Sequence, residues 1–373
     1  MRVALFVPGG VDQSGTDRVI PALLALIDRL ARRHAVFVLA LTLAPAAARY
    51  ELLGATVHDV GAGPGRRRRA LSVLADEHRL KPFDVFHAFW AQGTGSLAAI
   101  AGWRHRTPVV LHLSGGEMAA IPDIKYGQRQ STRGRLALRL AVAGARRITV
   151  ASAPMAAAAK SLGITVRRIP LGVALDRWPP AAPRPRDPAR PARLLHVADL
   201  NRVKDQDTLL RAAALLRNAN IPFRLDIAGC DTLNGAVQES ARRLGLSEVV
   251  TFHGRLRYPD LHALAVRADL HLLTSRHEAG PMAVLEAALV GVPTVGTRVG
   301  HVAEWDPTAA VAVPIGDFEG LARATASVLT DDGRRMRLAT AARDRAMAEH
   351  ADITASRFEE LYSEVAAPHM ARA

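Results

Sequence analysis

Short apolar runs alternate with longer amphipathic stretches along the whole chain. Val3–Val7 is followed by a loop and by Val19–Leu30, where apolar residues recur at helical spacing. Val36–Leu41, Val85–Ala88, Val109–Leu113 and Ile148–Val150 read as further strands. The pattern then repeats, with strands expected at Leu194–Val197, Arg224–Ile227, Val249–Phe252, Leu270–Leu273 and Thr294–Val295, and helices between them. Short β-branched runs alternating with helices predict parallel sheets covered on both faces.

The rhythm breaks between Trp178 and Arg193, where prolines crowd a stretch that also carries four arginines. Proline suits neither a helix interior nor a central strand, so this segment reads as an extended linker. The expected organisation is an N-terminal Rossmann-like domain over residues 1–177, a linker over 178–193 and a second α/β domain over 194–351. A final helical segment, 352–373, is expected to pack back on the first domain. The fold class is thus α/β, with two facing doubly wound parallel-sheet domains and ligands expected in the cleft between them, where strand C-terminal ends meet.

Composition narrows the function classes. With 49% apolar and 23% charged residues over 373 positions, the chain has ample core. No run reaches the 18 or more apolar residues of a membrane span, and the N-terminus does not read as a secretory signal. A soluble, cytoplasmic protein is expected. Cys230 is the single cysteine, so there is no disulfide framework, and the 14 histidines lack metal-site spacing. No metal is expected.

Charge is unevenly placed. Residues 1–180 contain 25 Lys and Arg against 11 Asp and Glu, whereas residues 194–373 contain 20 against 23. A basic N-terminal half favours anionic partners, among them the inner face of a membrane or a lipid-linked phosphate. The run Arg66–Arg69 follows a glycine-rich stretch and reads as a loop or an exposed helix start. It has no interleaved aromatics, and nucleic acid is not expected as a partner.

Candidate chemistry concentrates in residues 275–293, SRHEAGPMAVLEAALVGVP. A strand at Leu270–Leu273 feeds a loop carrying Glu278, and a helix is expected to begin near Pro281, since proline is tolerated in a first turn. Gly280 allows close backbone approach, and the unpaired N–H groups of Met282 and Ala283 form a seat for phosphate oxygens. Glu286, on the same side of that helix, can accept hydrogen bonds from vicinal hydroxyls such as a ribose offers. Glu278 at the loop tip is placed to meet a sugar.

This block resembles the E-x7-E signature of retaining GT-B glycosyltransferases of family 4, the glycosyltransferase group 1 domain. The resemblance extends to Asp199-Leu-Asn-Arg202-Val-Lys204, similar to that family's strand–loop–helix with a diphosphate-binding lysine. Ile227-Ala-Gly229, Phe252-His-Gly254 and Val299-Gly300-His-Val-Ala-Glu304 resemble later strand ends and a glycine-rich loop. Ser14-Gly15-Thr16-Asp17-Arg18-Val19 resembles the glycine loop that opens the first helix. The resemblance implies a nucleotide-sugar donor, UDP-linked before GDP- or ADP-linked, with Gly15, Thr16, Lys204, Gly254 and Gly280–Ala283 among its contacts, and spacing adds Arg202. It gives Lys204 to the diphosphate, Glu286 to the ribose and Glu278 to the transferred sugar. It also implies retention, the donor phosphate helping to deprotonate the acceptor, without metal. The acceptor class would be a hydroxyl on a glycan, a lipid-linked molecule or a small molecule.

His112, at the end of an apolar run and before Ser114-Gly-Gly-Glu117, is expected to reach sugar or acceptor, with Glu117 a weaker candidate. Residues 122–127 read as an acceptor-side loop. One departure stands out: Asp199 occupies a position where the family commonly has arginine, and Arg202 is the expected substitute charge, with Asp199 orienting it. Two other readings stay open. One is a binding protein that keeps the fold without turnover, and the other a nucleotide-sugar epimerase. Nicotinamide-dependent oxidoreduction lacks its GxGxxG spacing.

Overall fold

The computed structural model describes residues 1–41 and 46–370, so the last three residues of the C-terminal helical segment lie outside the described residues. The chain divides into two units, Met1–Gly172 with Ala351–Ala373, and Val173–His350.

The first unit runs β1 (Arg2–Val7), α1 (Pro21–Ala31), β2 (Ala35–Ala40), β3 (Ala48–Leu52), β4 (Ala55–Asp59), α2 (Arg66–Leu80), β5 (Val85–Phe89), α3 (Ser96–His105), β6 (Val109–Leu113), α4 (Thr132–Gly144), β7 (Arg147–Val150), α5 (Ala153–Ser161) and β8 (Arg167–Arg168). Its sheet has the order β3-β4-β2-β1-β5-β6-β7-β8 and is parallel except at the β3–β4 hairpin. Val3–Val7 and Val85–Phe89 are buried throughout, as strands covered on both faces must be. β3 and β4 carry no apolar run and were not expected. β3 is an edge strand, largely exposed, and Leu53 and Gly54 at φ 54° and 79° make the two-residue turn that pairs it with β4. The arginines 66–69 open α2 on its exposed side.

The second unit runs β9 (Ala192–Val197), α6 (Gln206–Asn218), β10 (Phe223–Ala228), α7 (Ala236–Arg243), β11 (Val250–Gly254), α8 (Tyr258–Arg267), β12 (Leu270–Leu273), α9 (Met282–Leu289), β13 (Thr294–Thr297), α10 (Gly300–Trp305), β14 (Ala310–Val313), α11 (Phe318–Thr330) and α12 (Asp332–Met347). Its parallel sheet has the order β11-β10-β9-β12-β13-β14, so strand order reverses between β9 and β12. The proline-rich run lies on this unit. Trp178 is buried and donates from Nε1 to the Glu286 carbonyl at 2.9 Å. Ala181 N–H reaches Leu289 O at 3.0 Å, and Arg184 caps the carbonyls of Arg267 and Ala268 at the end of α8. A segment with few N–H groups can lie flat on other elements with few donors left unpaired.

The last helix, α13 (Ala351–Met370), belongs to the first unit. Phe358, Leu361, Tyr362 and Val365 are buried in the same core as Val3, Leu5, Leu23 and Ile27. Ion pairs flank this apolar stripe, Arg29–Asp352 at 3.2 Å and Arg147–Glu364 at 2.6 Å among them.

Four histidines sit wholly inside the sheets, His87 and His112 in the first unit, His196 and His271 in the second. Burial holds His112 and His271 down to about 3 and His196 to about 4, and pushes His87 well below its ordinary 6.5. The stabilisation from keeping them neutral is therefore complete above 6.5 and lost as pH falls toward those folded-state values. Each histidine contributes a slope of about 1.4 kcal/mol per pH unit once the unfolded ring is protonated. Denaturant unfolding of the wild type and of His112→Gln between pH 7 and 4.5 should show a shallower decline for the variant, by about that amount below pH 5.5. Parallel declines would show that His112 is protonated in the folded chain.

Candidate active site

The switch point of the second unit's sheet gathers the charged residues. β9 leads into a loop ending at Asp205, which adopts φ 50° and caps α6 through the Thr208 N–H and hydroxyl. Two bonds fasten this loop to the one after β12: Thr274 Oγ1 donates to Lys204 O at 2.8 Å, and Arg276 N–H to Val203 O at 2.7 Å. Beneath them His196 donates from Nδ1 to Leu272 O at 2.9 Å, while Gln206 bridges its Nε2 and the Asp199 carbonyl. So held, Lys204 Nζ lies 2.6 Å from Glu278 Oε1, and Ser275 Oγ donates to that same oxygen at 2.6 Å. Glu278 Oε2 has no hydrogen-bond partner among the described residues.

α9 begins at Met282, with Pro281 as its N-cap residue, one position later than the sequence predicts. Met282 and Ala283 carry the first helical N–H groups, which an α-helix leaves without internal partners. Gly280 lies just ahead of them. Gly300, at φ 48°, packs so tightly here that a Cβ would come within 2.6 Å of Pro281 Cδ and 3.1 Å of Glu278 Cβ. The glycine-rich turn before α10 thus buttresses the Glu278 loop, helped by Thr297 Oγ1 donating to Ser275 O at 2.6 Å.

Glu286 lies one turn into α9 and is only 6% exposed. Tyr258 at the start of α8 donates to Glu286 Oε1 at 2.8 Å, and Trp178 packs against the Tyr258 ring with centroids 4.8 Å apart. Burial raises the Glu286 carboxyl to about 7, against the smaller opposing effect of the Tyr258 hydrogen bond. Sequence reasoning missed Tyr258 and Trp178 as supports: a tyrosine 28 positions before Glu286 and a tryptophan at the edge of a proline run carry no signal of proximity.

Other expected residues fall elsewhere. Arg202 is exposed and makes no ion pair with Asp199, whose Oδ1 instead accepts the Cys230 N–H at 2.9 Å. The expectation that Asp199 orients Arg202 is therefore corrected, because that carboxylate is occupied in joining the loops after β9 and β10. Gly254, at φ 65°, accepts from Gly229 N–H at 2.9 Å and faces open space where a Cβ would sit.

In the first unit, the Gly15 loop does not open a helix, since α1 starts at Pro21. Gly15 N–H is used inside a turn, donating to Asp12 O at 2.9 Å, while Ser14 Oγ accepts from Asp17 N–H. Its amide is not free for a phosphate in this conformation, and Thr16 is exposed beside it. His112 is fully buried, with Nδ1 2.8 Å from Thr149 Oγ1 and rings of Phe89 and Phe358 packed around it. The strand pleat turns it toward α13, so the ring is enclosed here and not exposed at the strand end, and burial keeps the imidazole neutral at neutral pH. Glu117 is also buried, accepting from Ser114 and Gly115 N–H, and shapes the loop after β6. Ser114 Oγ, at that strand end, has no hydrogen-bond partner among the described residues. Residues 122–127 form a tight turn in which Ile121 and Tyr126 exchange backbone bonds.

Comparison with known proteins places both units. The family described as "Glycosyl transferases group 1" matches residues 183–345, and "Glycosyl transferase 4-like domain" matches residues 19–172. The chain is similar to a glycogen synthase of Mycobacterium tuberculosis, 36% identical over 176 residues that cover 47% of this chain and 42% of that protein. It thus spans less than half the length of that curated relative. It is also similar to a D-inositol 3-phosphate glycosyltransferase of Arthrobacter, 26% identical over 79% of this chain and 76% of that one. In fold it resembles Anabaena HepE, solved in complex with UDP-glucose, with a TM-score of 0.73 and 19% identity over 97% of this chain and 99% of that one.

The raised Glu286 carboxyl has a stability consequence. Between its unfolded value of 4.5 and about 7, folding takes up a proton, so this group's contribution to stability declines with rising pH across that window. Glu286→Gln removes the ionisation and should stabilise the ligand-free chain at pH 8, by up to about 3 kcal/mol, with no gain at pH 4. A melting difference that is the same at both pH values would refute the burial account.

Proposed function

Because the chain belongs to the group 1, family 4-like glycosyltransferases of GT-B fold, we propose that it transfers a sugar from a UDP-linked donor to a hydroxyl acceptor, with retention and without a metal. The observation that carries this reading is the joint placement of Lys204, Glu278 and the α9 N-terminus at one strand-order reversal, where doubly wound sheets take up ligands. Similarity in fold to HepE, solved in complex with UDP-glucose, supports the choice of nucleotide.

Each group has a task set by its chemistry. The N–H groups of Met282 and Ala283, at the positive end of the helix, receive diphosphate oxygens. Lys204 supplies a compact positive charge against the negative charge that grows on the leaving diphosphate. Glu286 offers its Oε2 to the ribose diol while Tyr258 holds Oε1. Glu278, anchored through Oε1 by Lys204 and Ser275, offers Oε2 to hydroxyls of the transferred sugar. Retention follows the family resemblance, with a donor phosphate oxygen taking the acceptor proton as the glycosidic bond to the leaving phosphate breaks. The nearer acceptor reading is a hydroxyl on a glycan or a phosphate-bearing small molecule, in keeping with the inositol phosphate glycosyltransferase relative and the basic first unit.

A thermal-shift screen of nucleotide sugars in EDTA tests the reading. One UDP-sugar should raise the midpoint of the wild type, and Glu286→Ala should abolish that shift. Lys204→Ala should lower transfer by roughly 100- to 1,000-fold, the loss typical of removing a group that stabilises transition-state charge. If no donor shifts the folded wild type, the chain keeps the fold without the activity.

A further inference from the structure

Most of the basic excess of the first unit falls in the later part of its sequence. Residues 85–175 hold 12 Lys and Arg against two acids, Glu117 and Asp123, and Glu117 is wholly buried. α4 carries Arg133, Arg135 and Arg139 with no acid. Within that range Arg147 and Arg167 pair with Glu364, and elsewhere in the unit Arg2 pairs with Glu77 and Arg33 with Glu359. Arg104, Arg106, Arg133, Arg139 and Arg146 meet none among the described residues.

The same elements expose apolar side chains. Trp103 is 55% exposed, Leu136 65% and Ile100 40%, three of the six large hydrophobic residues left in the open among the described residues. Ile100 and Trp103 are three apart on α3, and Arg133, Leu136 and Arg139 are three apart on α4, so each set shares a helix side. Small residues draw the two helices together: a Cβ on Gly144 would collide with Ala99, and one on Gly95 would lie 3.1 Å from Ala141 Cβ. The two exposed sets therefore lie on adjacent helices, one toward the end of α3 and the other toward the start of α4. Beyond the end of α3 lies a groove of about 370 Å³ bounded by Trp103, Arg106, Pro108, Arg146 and Val365.

We propose that this α3–α4 face docks on an anionic lipid bilayer. Trp103, Ile100 and Leu136 enter the headgroup region, and Arg104, Arg106, Arg133, Arg139 and Arg146 meet lipid phosphates. An indole belongs at a membrane–water boundary, with an apolar body and a donor N–H. Unpaired arginines beside it answer the negative potential of anionic lipids. A single-stranded nucleic acid would call for a series of stacking rings, and this face has one aromatic with two aliphatic neighbours. No helix among the described residues is long and apolar enough to cross a membrane, so the contact is at the surface.

The test is sedimentation of the full chain with vesicles of phosphatidylcholine containing about 30% phosphatidylglycerol, at low and high salt. Binding should be strong at low salt, fall steeply as salt rises and be absent on pure phosphatidylcholine. Arg133→Gln with Arg139→Gln should lower the partition coefficient roughly 25-fold, about fivefold for each charge. Arg66→Gln with Arg67→Gln, an equal charge change on α2, should alter it less than about twofold by comparison. Brominated lipid should quench fluorescence in the wild type and much less in Trp103→Phe, with unchanged circular dichroism showing that every variant folds. Equal losses from the two arginine pairs would overturn the proposal. So would equal binding to neutral vesicles, or retention on duplex DNA with none on anionic vesicles.

Discussion

The parting of β9 and β12 is the constraint on which the second unit's chemistry depends. A parallel sheet covered on both faces has no place for an uncompensated charge along its strands. His196 and His271 show the rule from inside, since burial leaves each imidazole neutral. Charge can collect only past the strand ends, and only where neighbouring strands send their chains to opposite sides does room open for a ligand. The bonds from Thr274 to Lys204 O and from Arg276 to Val203 O keep the two departing loops in register. Lys204 and Glu278, 74 positions apart in sequence, meet because those backbone bonds leave their side chains little else to reach.

The two carboxylates solve the problem of burial differently. Glu278 stays beside a cation and a hydroxyl, both on one oxygen. Among the described residues the Glu286 carboxyl has only the Tyr258 hydroxyl, and burial lifts it to about 7. In each, one oxygen is anchored by the protein and the second is left for a ligand, which fixes the carboxylate plane before anything binds. On the proposed reading, an incoming diphosphate competes with Glu278 for Lys204, and the helix N-terminus of α9 shares the load. A lysine suits that double duty better than an arginine, because its three donors rotate about one flexible stem.

The doubly wound pairing of short strands with helices was legible because buried parallel strands are nearly continuous apolar runs, as Val3–Val7 is, or apolar with one neutral polar residue, as Leu270–Leu273 is around His271. The β3–β4 hairpin escaped because an edge strand with polar residues has no such requirement. At the site, Glu278 and Glu286 could be named from local spacing, since loop and helix start are continuous in sequence, whereas Lys204 and Gly300 came through the family resemblance. Spacing could not show that His112 points into the core: a strand-end residue lies on one face or the other, and the packing of Phe89 and Phe358 decides which. Nor could it show that the Gly15 amide is consumed by Asp12, because a glycine-rich loop reads the same whether its N–H groups are spent or free.

Asp199 shows how fold and chemistry separate within one loop. Its carboxylate accepts the Cys230 N–H, and Leu200 N–H donates to Cys230 O at 2.7 Å, so the loops after β9 and β10 are pinned without an arginine. What the aspartate removes is a cation and not a shape. Lys204 is then left as the cation of this loop that reaches Glu278, already partnered, with Arg202 exposed on the same loop and paired to neither Asp199 nor Glu278. A diphosphate bound here would lean on Lys204 and on backbone N–H groups more than in a relative carrying the arginine. Most substitutions leave backbone donors in place, whereas the lysine is removed by any, so on the proposed reading the balance between binding and turnover would rest on Lys204 and its exchange between Glu278 and phosphate.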